Sequence, residues 1–85
     1  MFTTYILYSA VLDRFYIGFT GDDVNVRLSK HLYDHKGFTS KAKDWIVVYT
    51  QTFFIKEEAM MRERQLKGWK NKDRIRKLIS GSSTE

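Results

Sequence analysis

Two runs rich in β-branched and aromatic residues, Thr3 to Ser9 and Phe15 to Thr20, stand close together near the start of the chain, joined by the short link Ala10 to Arg14. That pattern predicts a β-hairpin and commits the first quarter of the chain to a sheet. Thr20-Gly21-Asp22-Asp23 then supplies turn residues and an N-cap. Beyond it Val24, Leu28, His31 and Leu32 recur at helical spacing, predicting a helix from about Asp23 to His35. The stretch from Gly37 to Lys43, with donors at Thr39, Ser40 and Lys41, reads as a loop. Trp45 to Phe53 returns to strand composition. From Lys56 the positions Ala59, Leu66 and Trp69 resume helical spacing, and Glu57 and Glu58 suit the positive end of the helix dipole. Gly68 and Asn71 are expected to weaken or end that helix. Ile75, Leu78 and Ile79 predict a short last one, and Ser80 onward has the composition of a frayed tail.

The order strand, strand, helix, strand, helix, helix describes a small α/β (α+β) domain, a three-stranded sheet with helices packed on it. Its 85 residues make one domain, expected over 1–80 with a flexible tail at 81–85. A chain this short buries only about 60 to 65% of its unfolded surface, so its margin of stability is thin. The 13 aromatic residues (2 Trp, 5 Tyr, 6 Phe) supply the core. Cysteine is absent, which excludes disulfide staples and thiolate metal sites. No apolar stretch approaches the length of a membrane span, so the expectation is a soluble cytoplasmic protein with no membrane partner.

The net charge of +5 is concentrated: Arg62 to Lys77 holds eight Lys or Arg against Glu63 and Asp73, a local balance of +6. A basic segment of this kind, which includes Lys67, Lys70 and Lys72, is the electrostatic footprint of a protein that meets phosphates. It is also compatible with a merely solvated helical face.

If Leu7 faces Tyr16 across the hairpin, then Tyr5 faces Gly18, and the two tyrosines lie on one sheet face as diagonal neighbours. A shift by one residue would separate them. Gly18 is expected to leave open space beside both hydroxyls for a phosphate; the alternative is two ordinary half-buried strand tyrosines beside a bulge. On the first helix, Val24, Leu28 and His31 fall within about 60° of one another, with Arg27 at the edge of that stripe. Arg27 and His31 thus share a face directed at the sheet. On the second helix Glu63 lies about 40° from Ala59 and about 60° from Leu66, so a carboxylate borders the core stripe. It fits either a salt bridge to Lys67 at i+4 or a ligand for a hard cation whose other ligands are water and phosphate oxygens.

Tyr16-Ile17-Gly18-Phe19-Thr20, then Asp23 to Leu28 containing Arg27, then His31, and finally Ala59 to Lys67 carrying Glu63, resemble in order the pattern of the GIY-YIG nuclease family. Thr3-Thr4-Tyr5 stands where the first triplet belongs, with only the tyrosine retained. The resemblance implies an antiparallel sheet and a one-metal phosphodiesterase site formed by Tyr5, Tyr16, Arg27, His31 and Glu63. It implies hydrolysis leaving a 5′-phosphate and a 3′-hydroxyl. In that scheme Tyr16 is the base toward water and Tyr5 orients the water or the phosphate. Tyrosine has an ordinary pKa near 10, so the base needs a cation or a hydrogen bond to its phenolate. Arg27 is expected to bind a phosphate oxygen, His31 to orient or relieve a tyrosine of its proton, and Glu63 to hold Mg²⁺ or Mn²⁺. Gly18, Arg27, Lys67, Lys70 and Lys72 are the expected nucleic-acid contacts.

Phe19 stands where many members carry lysine, and the late asparagine common in the family has only Asn71 nearby in sequence. The implied function is a DNA endonuclease, structure-directed or weakly specific, in repair or recombination, with RNA not separated from DNA and a protein partner a source of specificity. Two alternatives remain at this stage: a nucleic-acid-binding module with little or no turnover, and an interaction domain whose basic helix meets an acidic partner.

Overall fold

A computed structural model describes residues 1–33 and 41–83, with the side chains of His31, Tyr33, Ser82 and Ser83 outside that description. The expected end of the first helix at 34–35, the loop donors Thr39 and Ser40, and residues 84–85 also lie outside the described residues. Strands β1 (Phe2–Ser9), β2 (Arg14–Thr20) and β3 (Ile46–Phe53) form one antiparallel sheet in the order β2-β1-β3. Helices α1 (Val24–Tyr33), α2 (Lys56–Trp69) and α3 (Lys72–Ser83) complete the fold.

The period-2 alternation of β1 sorts the helices onto two faces. Tyr5 and Leu7 point one way and pack with Val24, Leu28 and Leu32 of α1 and with Ala42 and Trp45. Ile6 points the other way into a cluster with Leu66 of α2 and Ile75, Leu78 and Ile79 of α3. Thr4 shares that second face, and its buried hydroxyl donates to the Ala59 carbonyl at 2.8 Å, fastening α2 to the central strand one turn before Glu63.

Local chemistry sets the element ends. Asp23 caps α1, its Oδ1 accepting from the Asn25 amide at 2.7 Å, as an N-cap carboxylate does. The Lys43 ammonium donates to the Leu32 carbonyl at 2.7 Å near the opposite end. Gly68 does not end α2. The helix runs one residue further and stops where Lys70 turns into the left-handed region at φ 52°. Asn71 then starts α3, its Oδ1 accepting from the amides of Asp73 (2.9 Å) and Arg74 (3.3 Å). α3 continues through Gly81 to Ser83. Trp45, expected at the head of the third strand, precedes it and is buried in the core at 2% exposure.

Two carboxylates tie the hairpin down. Asp44 accepts from the Ser9 hydroxyl at 2.6 Å and the Val11 amide at 3.0 Å. Asp13, itself at φ 49°, accepts from the Tyr8 hydroxyl (2.8 Å), Lys72 (3.2 Å) and Arg76 (3.0 Å), pinning α3 to the turn. The Tyr8 hydroxyl and then Lys72 hold the Asp13 carboxyl below the ordinary range, and the Ser9 hydroxyl and then the Val11 amide do the same for Asp44. A carboxyl with a depressed folded pKa stabilises the fold fully above its unfolded value and loses that contribution as pH falls through the folded value. The thermal midpoint is therefore expected to hold from neutrality down to about pH 4 and to drop below it. Calorimetry across that range checks this, and an Asp13→Asn/Asp44→Asn double variant should show a shallower acid limb from a lower plateau.

Candidate active site

The hairpin register pairs Leu7 with Tyr16 and Tyr5 with Gly18, as the spacing predicts, so the two tyrosines are diagonal neighbours on the α1 face. Pairing is regular through Gly18, which leaves no bulge there. The space above Gly18 is not open, however. A Cβ built at Gly18 would lie 2.7 Å from the Tyr5 hydroxyl oxygen, 2.9 Å from its Cζ and 3.3 Å from Cε1 of Tyr16. The expectation of open space beside both hydroxyls is thus corrected. The missing side chain of Gly18 is the volume into which the end of the Tyr5 ring fits, bringing that hydroxyl against Tyr16 on edge strand β2.

Arg27 reaches this pair from α1. Its guanidinium donates a hydrogen bond to the Tyr5 hydroxyl, while its Nε is buried with no hydrogen-bond partner among the described residues. A buried donor left unpaired costs about 1 to 3 kcal/mol. Tyr5 is 1% exposed, and burial raises its pKa above the ordinary tyrosine value; the Arg27 hydrogen bond opposes that rise, and the charges of Tyr16 and Glu63 reinforce it. Tyr5 is therefore held as a neutral phenol. The Arg27 pKa is raised, first by the Tyr5 hydrogen bond, so its charge is permanent.

Glu63 comes from α2, the helix on the opposite face, yet its charge acts on Tyr5. Its side chain is 18% exposed and pairs with Lys67 at 3.3 Å. Lys67 in turn lines a cleft with Arg14 and Tyr16 of β2. The carboxylate is thus carried to the β2 edge of the sheet, where the tyrosines of one face meet the helix of the other. Of the five expected catalytic residues, Tyr5, Tyr16 and Arg27 meet on the α1 face, and Glu63 acts on Tyr5 through its charge; His31 lies on α1 one turn beyond Arg27, its side chain outside the described set.

Among the described residues, no group of three or more His, Cys, Asp or Glu is arranged to hold a metal. A lone half-buried carboxylate suits a hard cation that draws its other ligands from water and phosphate oxygens, and does not suit a soft or tightly caged metal.

Lys70 and Lys72 stand on the rim of the same cleft as Lys67. Asn71 lines it too, with its carbonyl oxygen committed to the α3 cap. Arg14 was not among the expected site residues. Its signal is its place two residues before Tyr16, which puts both on one side of an edge strand.

No described helix is long and apolar enough to cross a membrane. Searches of curated proteins and of solved structures return no match. The profile of the GIY-YIG catalytic domain matches residues 1–78, which include every element from β1 to the greater part of α3. With that match laid over a three-stranded antiparallel sheet, three helices and a tyrosine pair faced by an arginine and a glutamate, the chain belongs to the GIY-YIG family of nuclease domains.

Proposed function

We propose that this domain is a metal-dependent endonuclease that hydrolyses DNA phosphodiester bonds, structure-directed and working in repair or recombination. The observation that carries the reading is the convergence of Tyr5, Tyr16 and Arg27 over Gly18 with the Glu63 charge within reach of Tyr5. The general metal dependence of nucleases in this family supports it.

Tyr16 acts as base toward the attacking water, whose oxygen bonds to phosphorus as the bond to the 3′ oxygen breaks. The products are a 5′-phosphate and a 3′-hydroxyl. Tyr5, neutral and fixed by Arg27, donates its hydroxyl proton to orient the water or a phosphate oxygen. Arg27 neutralises charge growing on the phosphate, and a permanently protonated, preorganised fork is the group suited to that task. His31 relays the proton taken by the tyrosine. Glu63 would hold Mg²⁺ or Mn²⁺, and an ion bound there would supply a Lewis acid for the phosphate and its leaving oxygen.

One observation favours a second reading, a binding module with little turnover: Lys67 sits on the Glu63 carboxylate at 3.3 Å and competes with a cation for it. The deciding experiment incubates the domain with labelled single-stranded, duplex, flap and branched DNA, in Mg²⁺ or Mn²⁺ and in a chelator. Cleavage that stops with the chelator is the expected result. Salt-sensitive binding without cleavage in either metal hands the protein to the second reading.

A further inference from the structure

Between the β2 edge and the corner where α2 turns into α3 lies an open cleft of about 370 Å³. That volume is within the range of about 300 to 1,000 Å³ in which ligand clefts fall. Its floor is apolar, made by Phe15 and Ile17 of β2, Leu66 of α2 and Ile75 of α3. Its rim is cationic, with Arg14, Lys67, Lys70 and Lys72, and no carboxylate lines it. Lys67 and Lys72 are engaged with Glu63 and Asp13, whereas Arg14 and Lys70 make no ion pair among the described residues.

The cleft is continuous with the candidate active site. The link is Lys67, which lines the cleft while touching Glu63; the Tyr16 position on β2 also borders the cleft, with its ring packed on the opposite, α1 face. A ligand seated here therefore has one end at the β2 edge beside the Lys67–Glu63 pair and the other along the basic turn. Apolar floor, cationic rim and an opening at a phosphodiesterase site together describe the two halves of a nucleotide, a flat weakly polar base and its flanking phosphates.

We propose that this cleft binds an unpaired base of the DNA strand next to the scissile phosphate, so that the preferred substrate carries a single-stranded or splayed nucleotide at the cut. The inference rests on the nuclease reading above and names the substrate class that reading leaves open. A base inside a duplex is stacked on both faces and cannot enter such a cleft unless it is extruded from the stack. Phosphate contacts from the rim supply affinity that falls with salt. The base adds a contribution that is tolerant of sequence, because an apolar floor reads the face of a base and not its edge.

The test uses three labelled DNA hairpins that differ only at the 5′ end: blunt, carrying three unpaired thymidines, or carrying three abasic nucleotides. Affinity is measured by fluorescence anisotropy with the intact protein in EDTA, so that no strand is cut. The thymidine overhang is expected to bind about tenfold tighter than the blunt hairpin, and the abasic overhang to lose most of that gain. With 5-iododeoxyuridine in the overhang, photocrosslinks are expected in Phe15 to Ile17 or Lys67 to Lys72. Equal affinity for thymidine and abasic overhangs overturns the proposal, as does crosslinking elsewhere. The same hairpins with Mg²⁺ separate the two failures. Cutting without preference for the thymidine overhang sinks the cleft and leaves the nuclease standing. Neither binding nor cutting of any hairpin sinks both.

Discussion

Glu63→Gln is expected to lower single-turnover cleavage by about a thousandfold while leaving the fold intact. The substitution is isosteric on an α2 position whose side chain is only 18% exposed, so neither Ala59 nor Leu66 beside it need move. It removes the carboxylate to which the proposed reaction assigns the divalent ion, and it frees Lys67 from its ion pair. DNA binding is expected to persist or tighten, because one negative charge disappears and one lysine is released to the phosphates. Mn²⁺ binding, read by calorimetry in the presence of uncut DNA, is expected to vanish with the activity. A variant that cleaves within tenfold of the parent would remove Glu63 from the metal assignment.

Gly18→Ala is the second change with a large expected effect, and a single methyl group is the cause. The new Cβ would stand 2.7 Å from the Tyr5 hydroxyl oxygen and 2.9 Å from its Cζ, inside the distance at which two such atoms can rest. Tyr5 is a rigid ring, 1% exposed and packed among Leu7, Trp45 and α1, so it cannot swing aside as an exposed chain end would. Either the ring shifts and repacks its neighbours or β2 moves outward. Overpacking of this kind costs about 1 to 3 kcal/mol, which in a domain of this size lowers the thermal midpoint by about 4 to 8 °C per kcal/mol. Displacing Tyr5 also breaks its hydrogen bond from Arg27 and separates the groups to which the proposed reaction assigns the phosphate. Activity is therefore expected to fall by at least about a hundredfold, even at a temperature where circular dichroism shows the variant folded. Parental activity in a folded Gly18→Ala protein would mean that the tyrosine pair has no part in the reaction.

Much of this arrangement was legible in the sequence because it follows from periodicity. A two-residue repeat fixes which hairpin residues share a face, so the pairing of Tyr5 with Gly18 could be read from the spacing of the strands. Asp23 before the apolar stripe of α1 announced its cap, and helical angles placed Arg27 toward the sheet and Glu63 beside the core. Helix ends were less legible. A glycine inside a helix costs only about 1 kcal/mol relative to alanine, and packing of Leu66 and Trp69 around it carries α2 past Gly68 to Lys70. Ile79, seated in the same cluster, likewise accompanies α3 beyond the point where Ser and Gly predicted fraying.

The remainder depends on contacts between distant positions, for which one sequence carries no signal. Asp13 meets Lys72 and Arg76 across 59 and 63 residues, and Thr4 meets Ala59 across 55. The void above Gly18 is closed by the length and tilt of the Tyr5 ring, a property of packing and not of pattern. The cleft joins residues of β2 to both sides of the α2–α3 turn, so its apolar floor could not be seen until the helices were placed on the sheet.

Tyr16 is the base in the proposed reaction and the diagonal neighbour of Tyr5 on the sheet. The decisive measurement is the single-turnover rate of Tyr16→Phe beside the parent, on the best-cleaved DNA at saturating Mg²⁺ and equal occupancy. Loss of a positioned acid–base group costs about a hundredfold or more, and a drop of that size with unchanged DNA affinity is the predicted result. A Tyr16→Phe protein that cuts at the parental rate would contradict it.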